Sequence, residues 1–196
     1  MPDSEHMADH TDTVVLHEEL AFQDVLPVLW RPAPAPPRPE FLAGLSENNL
    51  QVLQSWEALT DQSRIEPDEN SPLSADLQRM DRKLTLLLDM VGQILSSNRP
   101  RPTAVPVRFN ALGAAWRAAG SPPAAASAGI LEIYLHEYVA QPLRFAGTVT
   151  GVTASGDVTV RFAPLEDVVA ALIAKVAFRR HRRQIAGRLG PHRAPS

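Results

Sequence analysis

Residues Val105–Trp116 read VPVRFNALGAAW, and the fold turns on this dodecapeptide. Val105, Val107 and Phe109 alternate with Pro106 and Arg108, the two-residue period of a half-buried strand. Asn110 to Gly113 then supplies turn chemistry, and Gly113–Trp116 resumes an apolar strand. The stretch therefore predicts strand, turn, strand.

The same grammar continues outward toward the C-terminus. ILEIYLHEY (130–138) places Leu131, Ile133 and Leu135 on one face and Glu132, Tyr134 and His136 on the other. LRFAGTVTGVTASGDVTVRF (143–162) predicts two strands around a Ser155–Gly156 turn. RAAGSPPAAASAG (117–129) reads as a loop. Five or six short strands with tight turns in roughly 60 residues suggest a small antiparallel barrel. Pro164 is then expected to open a last helix with Leu165, Val168, Val169, Leu172, Ile173 and Val176 apolar, and Gly187 suits its C-terminal cap.

On the N-terminal side the period changes to helical. LSADLQRMDRKLTLLLDMVGQIL (73–95) carries Leu73, Leu77, Met80, Leu84, Leu87, Val91 and Ile94 at alternating spacings of four and three, an unbroken heptad pattern. Leu88 and Leu95 widen the stripe beyond a two-stranded seam, which suits a bundle of three or four helices. These nine residues are the expected self-association surface. EFLAGLSENNLQVLQSWEALT (40–60) predicts a partner helix through Phe41, Leu45, Val52, Leu53, Trp56 and Leu59. It covers one side of the heptad helix in a hairpin, and self-association covers the other.

RPAPAPPRP (31–39) reads as an extended linker. Before it, VVLHEELAFQDVLPVLW (14–30) mixes strand and helix features and is too apolar to stay in water, so the arm should pack on the body or on a neighbouring subunit. The expected organisation is thus arm and linker over 1–39, helical region over 40–98, barrel with C-terminal helix over 103–188, and a tail over 189–196.

Composition narrows the function. Apolar residues make up 44% of the 196, enough for a core, and cysteine is absent, which removes disulfides and thiolate chemistry. No apolar run is long enough to span a membrane, and the acidic start differs from a secretory leader, so a cytoplasmic protein without membrane insertion is expected. No P-loop, GxSxG or HExxH motif is present, and the six histidines are scattered. His6, His10 and His17 lack partnering acids at helical register, and Glu132 and His136 share a strand face without close contact. Neither an enzyme nor a metal site is expected.

FRRHRRQIAG (178–187) stands out. From Phe178 onward there are six arginines and no acid, leaving thirteen basic against twenty-two acidic residues elsewhere. So local a surplus argues against nucleic acid, which usually selects a basic domain. Three uses remain open: complementing the helix dipole in solvent, pairing with acids of the body or a neighbour, and recognising phosphate.

The order of elements, with NNLQVLQSWEAL, LTLLLDMVGQIL, PVRFNALGAAW, IYLH with QPLRFAGTV, and FRRHRRQIAG, resembles the atypical, tetramer-forming branch of the PilZ domain family from about Phe41 to Gly187. The resemblance implies a six-stranded antiparallel barrel in an α+β fold, set in bacterial cyclic di-GMP physiology such as motility, pili, biofilm or virulence. It also implies a non-enzymatic adaptor whose helices gather four copies and whose protein partner is unknown. Ordinary members bind cyclic di-GMP through RxxxR before the first strand and (D/N)xSxxG early in the barrel. Here Gly113 matches the glycine, Asn110 falls at the serine and Arg108 at the acid, reversing its charge. Arg99 and Arg101 lack the four-residue spacing, and Arg179 and Arg183 have it on a helix at the other end of the domain. No cofactor is expected, and cyclic di-GMP is the ligand that the resemblance offers. The site it would use on this resemblance is non-standard: Arg108, Asn110, Gly113, Arg179, Arg180 and Arg183.

Overall fold

The computed structural model describes residues 21–33, 37–60, 101–136, 139 and 141–188, with the backbone alone at 59, 60 and 183–188. Within the heptad segment it describes positions 76, 79, 80, 82–84, 86, 87, 90, 91 and 94, all helical. The other elements are β1 (Phe22–Pro32), α1 (Pro39–Thr60), β2 (Ala104–Phe109), β3 (Gly113–Arg117), β4 (Ala128–Ile133), β5 (Leu143–Val152), β6 (Asp157–Phe162) and α2 (Asp167–Arg188).

The six strands close into an antiparallel barrel in the order β1-β2-β3-β6-β5-β4. Closure removes exposed sheet edges. The strand alternation read from the sequence fills its interior: Val107 and Phe109, Leu131 and Ile133, Leu143 and Phe145, and Val158, Val160 and Phe162 are all buried. Phe145 and Phe162 stack with centroids 4.3 Å apart, and Phe109 lies 6.2 Å from Phe145 and 5.2 Å from Phe22.

The first strand corrects the expected organisation. The sequence division kept 1–39 outside the barrel; instead Phe22–Pro32 closes it, pairing β2 over Phe22–Pro27 and β4 over Val28–Pro32. Phe22, Leu26, Val28 and Trp30 turn into the core. Pro27 has no N–H to give to a ladder, and it sits where β1 passes from one partner strand to the other. Residues 1–20 of the expected arm lie outside the described residues.

Helix α1 starts on Pro39, whose fixed φ suits the first helical position, and the Arg38 carbonyl accepts from the N–H groups of Phe41 and Leu42. Leu45, Asn49, Val52, Leu53 and Trp56 form its buried stripe. That stripe packs on β5 and α2. Phe41, expected on the stripe, is exposed.

Helix α2 begins at Asp167, three residues after the expected Pro164, and runs through Gly187 to Arg188, so that glycine lies inside the helix rather than capping it. Val169, Ile173, Val176 and Ala177 are buried, whereas Val168 faces solvent.

Candidate functional site

The turn between β2 and β3 is built by the two residues that the sequence aligned with a ligand motif. Asn110 is buried, and its Oδ1 accepts from the N–H of Leu112 (2.8 Å) and of Gly113 (3.1 Å). This side-chain-to-backbone pattern is why asparagine favours turns. Its own N–H donates to the Gly113 carbonyl at 3.0 Å. A Cβ on Gly113 would lie 2.3 Å from the Val160 carbonyl oxygen, so the approach of β3 to β6 requires glycine there. The contacts of Asn110 and Gly113 thus serve the turn itself.

Arg108 lies opposite Gln23 on β1 and Ala115 on β3. With those two, Trp116, Arg117 and Asp157, it lines an open cleft of about 550 Å³ on the barrel wall. Partial burial lowers the pKa of its guanidinium from the ordinary arginine value. Beside it, Arg117 grips Asp157 with both arms of its fork: Nε to Oδ1 at 3.0 Å and Nη2 to Oδ2 at 3.2 Å. Hydrogen bonds from Arg117 first, and then from Ser155, hold the Asp157 carboxyl at about 2.

The C-terminal arginines meet acids of their own chain. Arg180 Nη2 lies 2.6 Å from Asp24 Oδ2, with its guanidinium 6.0 Å from the Phe22 ring centroid. Arg179 Nη1 lies 3.6 Å from Glu57 Oε1, which Lys175 Nζ also approaches at 2.9 Å. These pairs tie α2 to β1 and α1. Arg182 lies over the ring of its helix neighbour Phe178, and the side chain of Arg183 is outside the described residues. Arg179 and Arg180 thus pair with Glu57 and Asp24, while Asn110 holds the turn at Gly113.

Sequence reasoning missed a further charged group. Glu132 is buried beneath two arginines, Arg31 Nε at 3.2 Å and Arg144 Nε at 3.2 Å. The available signal was a single acid at the centre of an apolar strand run, which cannot be buried without a partner. Nearby, Arg101 donates from Nη1 to the His136 carbonyl and from Nη2 to the Val139 carbonyl, both at 3.1 Å, and lies over the Tyr134 ring. Among the described residues no group of three or more histidines and acids could hold a metal ion, and no helix is long and apolar enough to cross a membrane.

Of the expected self-association residues, Met80, Leu84, Leu87, Val91 and Ile94 are described, and they are 50–64% exposed. Leu86 and Met90 are exposed as well. Leu73, Leu77, Leu88 and Leu95 lie outside the described residues.

Comparison with known proteins adds a family and a fold. Residues 53–189 match the family described as "Atypical PilZ domain, cyclic di-GMP receptor". No curated protein matches the chain. Among solved structures, a pathogenic protein from Xanthomonas campestris superposes with a TM-score of 0.66 at 22% identity, over 90% of this chain and 98% of that one. That protein is described as a new tetrameric PilZ domain self-assembled via an unusual helical bundle.

Proposed function

The chain belongs to the atypical PilZ domain family, and from that premise we propose that it is a non-enzymatic signalling adaptor that assembles through its heptad segment. Four copies bury the stripe of Leu73, Leu77, Met80, Leu84, Leu87, Leu88, Val91, Ile94 and Leu95, and the barrels stand outward to meet a protein partner. The setting is bacterial cyclic di-GMP physiology: motility, pili, biofilm or virulence. One observation carries the reading. The large apolar side chains described along the heptad segment lie at half exposure or more, and contiguous apolar surface of that kind marks an interaction site in a soluble protein. Fully burying each such side chain stabilises by about 1.5–3 kcal/mol.

Light-scattering mass tests it, with wild type beside Leu84→Asp. The expected wild-type mass is four times 21.4 kDa, and the aspartate is expected to dissociate the assembly because an unpaired carboxylate cannot enter a dry seam. A monomeric wild type refutes the proposal.

A second reading makes the protein itself a cyclic di-GMP receptor. The family description favours it, as does the position of Arg108 in an open cleft. Arg108, Asn110, Gly113, Arg179, Arg180 and Arg183 would form the site, with Arg179 and Arg180 released from their acids by the ligand. Calorimetry with the dinucleotide decides it: no heat at micromolar protein ends this reading, and unchanged heat in Arg179→Ala/Arg183→Ala moves the site elsewhere.

A further inference from the structure

Glu132, Arg31 and Arg144 form a group on a part of the barrel wall away from the Arg108 cleft. Antiparallel register puts Glu132 of β4 directly opposite Leu29 of β1 and Arg144 of β5, with Arg31 two residues along β1 opposite Ile130. Directly opposed residues share a face, and so do alternate residues of one strand. Arg31, Glu132, Arg144 and Tyr134 therefore project from one outer surface, with Leu29 and Ile130 as its half-buried floor.

The charge balance of this group exceeds what a strand lock needs. One carboxylate is answered by two guanidinium groups, each approaching through Nε, one at each carboxylate oxygen. The Glu132 side chain is 4% exposed, whereas Arg31 is 61% and Arg144 44% exposed. An arginine carries five N–H donors. Both guanidinium groups stay substantially exposed while anchored on the two oxygens of one carboxylate, Arg31 from β1 and Arg144 from β5 on either side of β4. The rotamer freedom that a ligand would otherwise have to restrain is already restricted from behind.

The surroundings add positive charge and a donor. Arg101 is fixed nearby by two backbone carbonyls. Tyr134 interacts electrostatically with Glu132, Arg31, Arg144 and Arg101 together, and its pKa is raised, chiefly by burial and then by Glu132. The phenol therefore stays a neutral donor at physiological pH. Among the described residues, Arg31, Arg144 and Arg101 surround Glu132, whose two oxygens are both taken by Arg31 and Arg144.

The geometry points to an anion site on this chain in which Arg31 and Arg144, held from behind by Glu132, grip the oxygens of a phosphoryl or phosphodiester group on the outer face of β1, β4 and β5. Guanidinium forks suit phosphate oxygens, and forks from two separate strands suit a tetrahedral group better than a single planar carboxylate. The site takes a small soluble phosphate compound rather than a membrane, because two arginines are far fewer than the polybasic clusters that hold anionic bilayers. It depends on neither the assembly of the protein nor the Arg108 cleft.

The test is an NMR titration of the full-length protein with inorganic pyrophosphate and, separately, cyclic di-GMP, following the Nε–Hε resonances of Arg31 and Arg144. Saturable shifts of both are expected with at least one phosphate compound. The affinity read at the remaining arginine is expected to weaken at least about tenfold in Arg31→Lys and in Arg144→Lys, which keep the charge and lose the fork; unchanged tryptophan fluorescence shows that the variants are folded. Four results would overturn the assignment: no saturable shift up to millimolar ligand, the same shifts with chloride at matched ionic strength, shifts that survive both lysine variants, or tighter binding of oligoglutamate than of either phosphate compound. Sedimentation with phosphatidylglycerol vesicles that requires Arg31 and Arg144 would overturn the choice of a soluble ligand.

Discussion

Replacing Asn49 with alanine probes how α1 is fastened to the barrel. Asn49 is 1% exposed. Its Nδ2 donates to the Arg144 carbonyl at 2.8 Å, and its Oδ1 accepts from the Arg144 N–H at 2.7 Å. One side-chain amide thus satisfies both backbone groups of a β5 residue as a neighbouring strand would. Alanine leaves that N–H and C=O under the helix with no replacement partner. Each buried polar group left unmatched costs about 1–3 kcal/mol, and relaxation of the helix recovers part of it, so a total of about 2–4 kcal/mol is expected. For a domain of this size that corresponds to a fall in thermal midpoint of about 5–15 °C. Tryptophan fluorescence against urea is a direct assay, since Trp56 lies on the same helix face as Asn49. The midpoint should fall with an unchanged slope, because the surface exposed on unfolding is the same. Asn49→Asp sharpens the test. It keeps the acceptor for the Arg144 N–H but sets a carboxylate oxygen against the Arg144 carbonyl, so at neutral pH it should cost at least as much as alanine. Its deficit should shrink on acidification, as the buried carboxyl takes up a proton and regains a donor. A loss below about 0.5 kcal/mol in Asn49→Ala, the range of an ordinary surface change, would refute the reasoning.

Two other outcomes can be checked. Asp157 has its carboxyl held at about 2 against an ordinary 3.8. The stability it contributes is therefore complete above the ordinary value and is lost as pH falls through about 2. The difference in thermal midpoint between wild type and Asp157→Asn should be constant above about pH 5, shrink as pH falls and vanish below about pH 2; a difference that persists at the lowest pH contradicts the Arg117 pairing. Leu84→Asp should leave the barrel's own unfolding free energy in urea, compared at a protein concentration where both proteins are monomeric, within about 0.5 kcal/mol of wild type, since a half-exposed position makes little of the core; a large fall there would place Leu84 inside the fold.

The parts of the fold legible in the sequence are those held by neighbours in the chain. The β2–β3 turn was readable because Asn110 caps its own N–H groups two and three residues on, and the β5–β6 turn because Gly156 takes a φ of +81° that favours glycine. The β1 strand was not readable. Its pairing with β2 and β4 spans a long insertion, and Pro27 inside an apolar run argues against a strand until the change of partner at that residue is seen. The arginine cluster shows the same limit. Its composition left three uses open, and the one Arg180 takes, pairing with an acid of the body, is decided by Asp24, whose sequence neighbourhood gives no hint of it. Glu132 was placed correctly on the outer face by alternation, yet its two arginines come from different strands. The candidate ligand residues were chosen by motif spacing, and spacing does not distinguish an asparagine that builds a turn from one that meets a ligand.

The position of the insertion connects these observations. Strands β1 and β2 are paired neighbours, yet 71 residues lie between Pro32 and Ala104. Compared with an ordinary hairpin loop this is roughly four doublings of length, and each doubling adds only about 0.6 kcal/mol of closure entropy, so the penalty is about 2.4 kcal/mol. Burying Leu45, Val52, Leu53 and Trp56 of α1 against β5 and α2 offsets that several times over, at about 1.5–3 kcal/mol for each large side chain. A barrel can therefore carry a helical insertion between adjacent strands at little cost, provided the first helix is fastened down. The amide of Asn49 and the ion pairs of Glu57 with Lys175 and Arg179 are what fasten it. Among the described residues of the heptad segment, the large apolar side chains stand exposed and add nothing to this fastening. Barrel stability alone gives no reason for leucine, methionine, valine and isoleucine at those positions; the assembly proposed above would give one.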